Sequence, residues 1–377
     1  MHKRYLHSFV LDDLKEKMVF LGGPRQVGKT TFSFQFLTNG SERHPAYLNW
    51  DVQAVQKLLR GGELPIATGT LVLDEIHKYP KWRNLVKGIY DTNKSQLKIL
   101  VTGSARLDYY RRGGDSLQGR YHYYRLHPFS LLELSSQPNQ NHLAELLEFG
   151  GFPEPLFKAN QKSWRRFQQE RLTRVIHEDL VSLESVKMID HIKLLAIALP
   201  ERVGSPLSVK NLSEDLGVAF ASVENWVTIL ENLYYCYRIK PFGVKHLRAA
   251  KKEKKLYLWD WSLCENSGAR FENLVASQLL KFCHFQEDTE GHVMELCFLR
   301  DSEKREVDFV VVKNKKPLFA VECKTGEKSL SPHISYFATR TNIPKFYQVH
   351  QGSKHSHVPQ SKAEILPFTK FVMELGV

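Results

Sequence analysis

The sequence lacks any apolar run approaching the roughly 18 residues that cross a bilayer. Its first seven residues, Met1 to His7, are basic, with no apolar stretch after them of the kind a secretory signal carries. A spanning or secreted chain is therefore disfavoured; a cytoplasmic protein with no membrane partner is expected. Cysteine is sparse. Cys236, Cys264, Cys283, Cys297 and Cys323 form no C-x-x-C pair and are odd in number, which argues against a disulfide framework or a zinc site and suits reduced core thiols. No internal repeat is present, which excludes a solenoid. Acidic residues are in deficit: 41 Asp and Glu against 53 Lys and Arg leave a formal net charge of +12. That balance favours a polyanionic partner, although a solvated basic surface produces it equally well.

What is present is enough for two or three domains: 377 residues, 42% of them hydrophobic and 11% aromatic. Between residues 17 and 134 the short apolar runs MVFLGG, AYLNW, TLVLDE and KILVTGS alternate with helical patterns. This is the signature of a βαβ domain with a parallel sheet, of α/β class. A polar linker follows at 135–142, and Gly150-Gly151-Phe152-Pro153 interrupts the chain again before a run of helices at 163–200. Residues 208–233 read as two short helices around a turn at Gly217, and 234–260 as two strands flanking a basic loop. That is the outline of a winged helix-turn-helix. A helix at 271–282 and a hairpin at 307–324 then mark a further α/β unit. The expected domains are thus 1–134, a P-loop ATPase; 143–204, a helical lid or linker; 205–262, the winged helix; and 263–377, the C-terminal α/β domain.

The octapeptide Gly23-Pro24-Arg25-Gln26-Val27-Gly28-Lys29-Thr30 fits G-x-x-x-x-G-K-[ST], directly after a buried strand and before a helix that begins at Thr31. Glycines let backbone N–H groups curl round the β- and γ-phosphates of ATP, Lys29 supplies a cation between them, and the Thr30 hydroxyl binds Mg2+. Leu71-Val72-Leu73-Asp74-Glu75 is a buried strand ending in two carboxylates. Asp74 is expected beside the Mg2+ and Glu75 toward the attacking water. The run at 46–50 lies between these motifs and is expected to be the strand inserted into the sheet, as in ATPases that keep a catalytic glutamate next to that aspartate. After the strand at 99–101, Ser104 or Thr102 either senses the γ-phosphate or caps a helix. Arg120 is the first candidate for a cation reaching the γ-phosphate, with Arg106 and Arg174 behind it.

These segments, together with Leu73-Asp74-Glu75-Ile76-His77, Thr102-Gly103-Ser104, Leu117-Gln118-Gly119-Arg120 and Leu126-His127-Pro128-Phe129-Ser130, resemble the AAA-type ATP-binding proteins of bacteria and archaea that carry a C-terminal domain of unknown function. The likeness continues through Gly150-Gly151-Phe152-Pro153, Lys255-Leu256-Tyr257-Leu258-Trp259-Asp260, Phe271-Glu272-Asn273, Glu306-Val307-Asp308-Phe309 and Val321-Glu322-Cys323-Lys324. It implies an ATPase domain, a winged-helix middle and a restriction-endonuclease-like end. His77 departs from it, where glutamine is more usual, and so does Trp50.

In the C-terminal region the strands at 308–312 and 318–323 flank a turn-like Lys313-Asn314-Lys315-Lys316-Pro317. A turn centred on Lys315 sets Asp308 opposite Glu322, and two carboxylates so placed repel unless a cation sits between them. A divalent metal is the expected cation. Alternation puts Lys324 on the face of Glu322, giving the D…E-x-K arrangement of metal-dependent nucleases, in which carboxylates hold Mg2+ and the lysine acts on water and phosphate. Glu272 is a further candidate ligand. In the winged-helix region the exposed side of the second helix offers Glu224, Asn225 and Thr228, weak equipment for reading bases. The loop from Lys245 to Lys255 instead carries Lys245, His246, Arg248, Lys251, Lys252, Lys254 and Lys255 against one acid, Glu253. That composition suits sequence-independent contacts to the DNA backbone. The expected function is a Mg2+-dependent ATPase whose nucleotide state controls DNA engagement, with or without DNA cleavage. The alternative is a nucleotide-dependent switch or scaffold with an inactive nuclease-like domain. Homo-oligomerisation is left open.

Overall fold

The protein is seen in a computed structural model, which describes residues 2–103, 117–175, 188–243, 253–358 and 362–377. Two compact units divide it, Met1–His127 and Pro128–Val377.

The first unit is built on a five-stranded sheet of β1 (Met18–Gly22), β2 (Tyr47–Asn49), β3 (Gly69–Asp74), β4 (Leu97–Thr102) and β5 (Tyr121–Arg125), in the order β2-β3-β4-β1-β5. Every ladder in it is parallel. β1 is buried throughout and β4 nearly so, as strands covered by helices on both faces must be. Met18 and Phe20 of β1, Leu71 and Leu73 of β3 and Ile99 and Val101 of β4 alternate into one core. Trp50, Trp82 and Val86 join it, the last two from the helix Trp82–Asn93. The inserted strand is not the one expected. The run at 46–50 supplies β2, a three-residue edge strand, whereas the strand between β1 and β3 is β4. The physical reason lies in burial: a strand with neighbours on both sides must be apolar on both faces, and only β4 is long and buried enough to fill that place.

In the second unit the helices Gln140–Phe149 and Pro153–Lys158 are separated by the Gly150-Gly151 break read from the sequence. Gly150 has φ +76°, and a Cβ there would lie 2.5 Å from Asp260 Oδ1, so only glycine fits. The helices Val209–Asp215 and Phe220–Asn232 follow, the first capped by Ser208 and the second burying Val223, Trp226, Val227 and Leu230. The remaining strands are β6 (Cys236–Pro241), β7 (Lys255–Leu258), β8 (Met294–Arg300), β9 (Glu306–Lys313), β10 (Lys316–Lys324), β11 (Phe346–His350), β12 (Ser356–His357) and β13 (Ala363–Pro367). They form one eight-stranded mixed sheet in the order β12-β13-β11-β10-β9-β8-β6-β7, with the long helix Ser267–Glu290 packed on it. β6 pairs antiparallel with β7 and also parallel with β8, through Lys240 opposite Cys297 and Pro241 opposite Phe298. The strands flanking the basic loop and the C-terminal strands therefore share a single sheet, across the point where the sequence suggests a boundary at residue 262.

The β9–β10 hairpin reaches the expected pairing by another route. Its turn holds Asn314 and Lys315, both at positive φ (50° and 66°), so Lys313 faces Lys316 at the mouth. A bulge between Pro317 and Phe319 then shifts the ladder by one residue, and Phe309 faces Val321. Continuing that ladder one step sets Asp308 abreast of Glu322.

Candidate functional site

The phosphate loop leaves the C-terminal end of β1 through Gly23, at φ +130°, and enters the helix Lys29–Ser33 through Gly28, at φ +95°. Gln26 between them is also left-handed, at φ 61°. A Cβ on Gly23 would stand 2.4 Å from the Leu126 carbonyl oxygen, so this backbone approaches its neighbour more closely than any other residue allows. Lys29 is largely buried; its Nζ donates to the carbonyls of Gly23 at 3.0 Å and Pro24 at 2.6 Å, which holds the ammonium against the loop.

Asp74 ends β3, almost fully buried. Its carboxylate accepts hydrogen bonds from Thr30 Oγ1 at 2.9 Å, from the Tyr47 hydroxyl at 2.6 Å and from Thr102 Oγ1. A residue 44 positions away from Thr30 thus meets it side chain to side chain, the pairing a Mg2+-nucleotide site needs. Glu75 follows in a left-handed conformation, φ 55°. Its Oε2 is buried without a hydrogen-bond partner and lies 3.5 Å from Lys78 Nζ and 3.6 Å from His77 Nε2. Burial pushes the Glu75 carboxyl above the usual carboxylate range, and the Lys78 and Lys29 ammoniums pull it partly back. The set fits a Mg2+-nucleotide: a loop of left-handed residues, a lysine at its mouth, a hydroxyl beside a carboxylate, and a second carboxylate with an oxygen that takes no hydrogen bond.

Thr102 engages Asp74; Ser104 and Arg106 lie outside the described residues. Arg120 is a correction. It precedes β5 on the edge where Met18 begins β1, opposite the edge from which the loop departs, and its guanidinium is paired with Asp91 at 2.9 and 3.2 Å. Five residues of strand, roughly 16 Å, separate it from the loop of its own chain. The β5 arginine on the loop edge is Arg125, in register with Gly22. Arg174 lies in the second unit and pairs with Glu170 at 3.7 Å. Sequence reading missed Tyr47, whose only signal is its place in the AYLNW run, two residues before the Asn49 that β2 sets opposite Asp74.

Residues 15–135 match the model of an AAA domain. The first unit has the P-loop NTPase fold. Residues 140–270 and 267–371 match two domains of unknown function, DUF8612 and DUF4143. Among curated relatives, an uncharacterized protein of Methanocaldococcus jannaschii is 23% identical over 86% of this chain and 78% of its own length. An uncharacterized protein of Haemophilus influenzae is 21% identical over 84% and 85%. Solved structures similar to the chain include the Aeropyrum pernix ORC1 protein in complex with DNA, 14% identical, with a TM-score of 0.32 over 72% of this chain and 90% of that one. The Thermotoga maritima RuvB Holliday junction branch migration motor is 16% identical, with a TM-score of 0.29 over 62% and 87%.

The C-terminal carboxylates do come together, around a group that the sequence reading assigned elsewhere. Lys255, the first residue of β7, is only 1% exposed. Its Nζ lies 2.5 Å from Glu306, 3.5 Å from Glu272 and 3.8 Å from Asp308. It is therefore not a DNA-facing loop residue. Glu272 also accepts from the Tyr257 hydroxyl at 2.8 Å, and Asp308 Oδ2 from the Cys323 N–H at 2.8 Å. Lys324 Nζ donates to Glu322 Oε1 at 2.6 Å, on the expected face, while Glu322 Oε2 is buried without a hydrogen-bond partner. Burial and the neighbouring Asp308 raise the carboxyls of Glu272 and Glu322 above their usual range. Among the described residues no group of three or more His, Cys, Asp or Glu is arranged to hold a metal ion. A divalent metal fits this set poorly, because an ammonium already stands among its carboxylates.

The exposed side of the helix Phe220–Asn232 is engaged as well: Glu224 and, about two turns beyond, Glu231 each hold Arg238 of β6 at 2.8 Å. Of the basic loop, Lys245, His246, Arg248, Lys251 and Lys252 lie outside the described residues. No helix among the described residues is long and apolar enough to cross a membrane.

Proposed function

We propose that this chain is a Mg2+-dependent ATPase, and the observation that carries the reading is the meeting of Thr30 with Asp74 beside a Glu75 oxygen that takes no hydrogen bond. Bound Mg2+ would neutralise charge building on the β- and γ-phosphates. Thr30 and Asp74 would hold it. The Gly23–Thr31 backbone and the Lys29 ammonium grip the phosphates, and Thr102 and Tyr47 orient Asp74. Glu75 accepts a proton from the attacking water, which its raised affinity for protons assists.

Lys29→Ala is expected to abolish tight nucleotide binding, since it removes the cation at the loop. Glu75→Gln keeps the shape but cannot take the proton, so ATP should bind and remain uncleaved. Nucleotide binding and phosphate release measured on both variants test this, and turnover at the parental rate by Glu75→Gln would reject Glu75 as the base.

The same reading makes DNA the polyanionic partner, bound along its backbone without sequence preference, in the cytoplasm. The net charge of +12 and the order of the second unit, two short helices followed by the hairpin-like β6 and β7 around a basic loop, support it. That order accords with the winged-helix outline expected from the sequence. Nucleotide state would control engagement; gel shifts on duplex DNA with and without ATP, in which DNA mobility must change with protein, decide it. The Lys255 ammonium favours the reading in which the nuclease-like region binds or assembles without cutting. Whether copies of the chain associate is read by light scattering with ATP present.

A further inference from the structure

The carboxylate pocket of the second unit is drawn from three separate segments: Glu272 from the helix Ser267–Glu290, Glu306 and Asp308 from β9, and Glu322 from β10. Like charges this close are costly unless cations lie among them. Three cations belonging to the chain do. Lys255 touches Glu272, Glu306 and Asp308, Arg300 lies 3.5 Å from Glu306, and Lys324 binds Glu322. Four carboxylates thus face three fixed positive charges, all supplied by the chain itself.

The position of Lys255 follows from the fold, not from a surface side chain turning inward. Its backbone lies in register with Ile239 of β6 and bridges Pro206 on the other side. Neighbouring Gly204, at φ +77°, donates to the Leu256 carbonyl, and a Cβ on it would meet the Glu272 carboxylate at 3.1 Å. The pocket is therefore closed over the ammonium by backbone as well as by side chains.

We propose that the Lys255 ammonium is the resident cation of this pocket, standing against Glu272 and Asp308, two of the three carboxylates to which the nuclease-like reading gives a divalent metal, and that the second unit binds no such metal while Lys255 is present. It follows that Lys255 also fixes β7, and with it the end of the basic loop, to the long helix and to β9. Removing the ammonium leaves Glu272, Glu306 and Asp308 facing one another with room for a replacement, so the deletion should create a metal site rather than destroy one.

The test uses the full chain carrying Lys29→Ala and Asp74→Asn, which silences the nucleotide site and makes the outcome independent of the ATPase reading. Free Mn2+ is followed by its paramagnetic resonance during titration of metal-stripped protein. The expected result is that this parent and the parent with Asp308→Ala give the same isotherm. Adding Lys255→Ala should produce one extra bound Mn2+ per chain, lost again when Asp308→Ala is combined with it, while Lys255→Arg should produce none. A Mn2+ bound by the parent and lost with Asp308→Ala would overturn the proposal, whether or not Lys255→Ala folds. So would a folded Lys255→Ala protein with an unchanged isotherm, or a gain of metal by Lys255→Arg.

Discussion

Asp74 takes hydrogen bonds from three hydroxyls, each delivered by a different part of the first unit: the phosphate loop, the edge strand β2 and the end of β4. A buried carboxylate is oriented by its donors, so under the proposed ATPase reading each would govern how well Asp74 presents an oxygen to Mg2+. Tyr47→Phe removes one donor and nothing else of size. A hydrogen bond to a charged group is worth about 1.5–3 kcal/mol, and Thr30 and Thr102 remain. The expected result is a several-fold rise in the Mg2+ concentration giving half-maximal ATPase activity, with a smaller change in the rate at saturating Mg2+. An unchanged Mg2+ dependence would reduce Tyr47 to a packing residue. The contrast with the phosphate loop shows what a sequence exposes at this scale. The placement of Lys29, Thr30, Asp74 and Glu75 around one loop is legible because they lie in two contiguous motifs. Tyr47 and Lys255 act across strand registers, and nothing beside them in the chain marks their partners.

Individual strands are read well from apolar runs, but their neighbours are not. All four runs of the first unit became strands, yet the insertion of β4 between β1 and β3 depends on which strands are buried on both sides, and chain order is silent on that. The β9–β10 hairpin makes the same point through register. Asp308 and Glu322 come abreast as expected, but by a two-residue turn and a compensating bulge instead of a longer turn. That turn places Lys315, an exposed residue, at φ 66°. A left-handed conformation costs a residue with a Cβ roughly 1–2 kcal/mol, and glycine is largely spared it. Lys315→Gly should therefore stabilise the protein by about 1 kcal/mol, seen as a higher midpoint in urea with the same slope. A lower midpoint would mean that the turn is not held in this form in solution.

At the scale of the whole molecule, electrostatics is the property most visible in composition and least resolved by it. A net charge of +12 invites a polyanion but does not say which cations meet it. Burial removes Lys255 from that set and Arg238 with it, since each is committed to carboxylates inside the second unit. Among the lysines at the C-terminal end of the basic loop, the candidates for meeting phosphate are therefore Lys251, Lys252 and Lys254. Neutralising all three as Gln should weaken binding to every duplex sequence alike. Each phosphate that no longer meets a lysine lowers the slope of log affinity against log salt by about 0.9, so the slope should flatten by up to about 2.7. The comparison with Lys255→Ala separates the two kinds of lysine. Loss of a buried cation acts on folding, and should lower the urea midpoint without a matching change in salt slope for the protein that remains folded. A triple variant with parental affinity and parental slope would show that these lysines are solvated and that DNA, if bound, is met elsewhere on the surface.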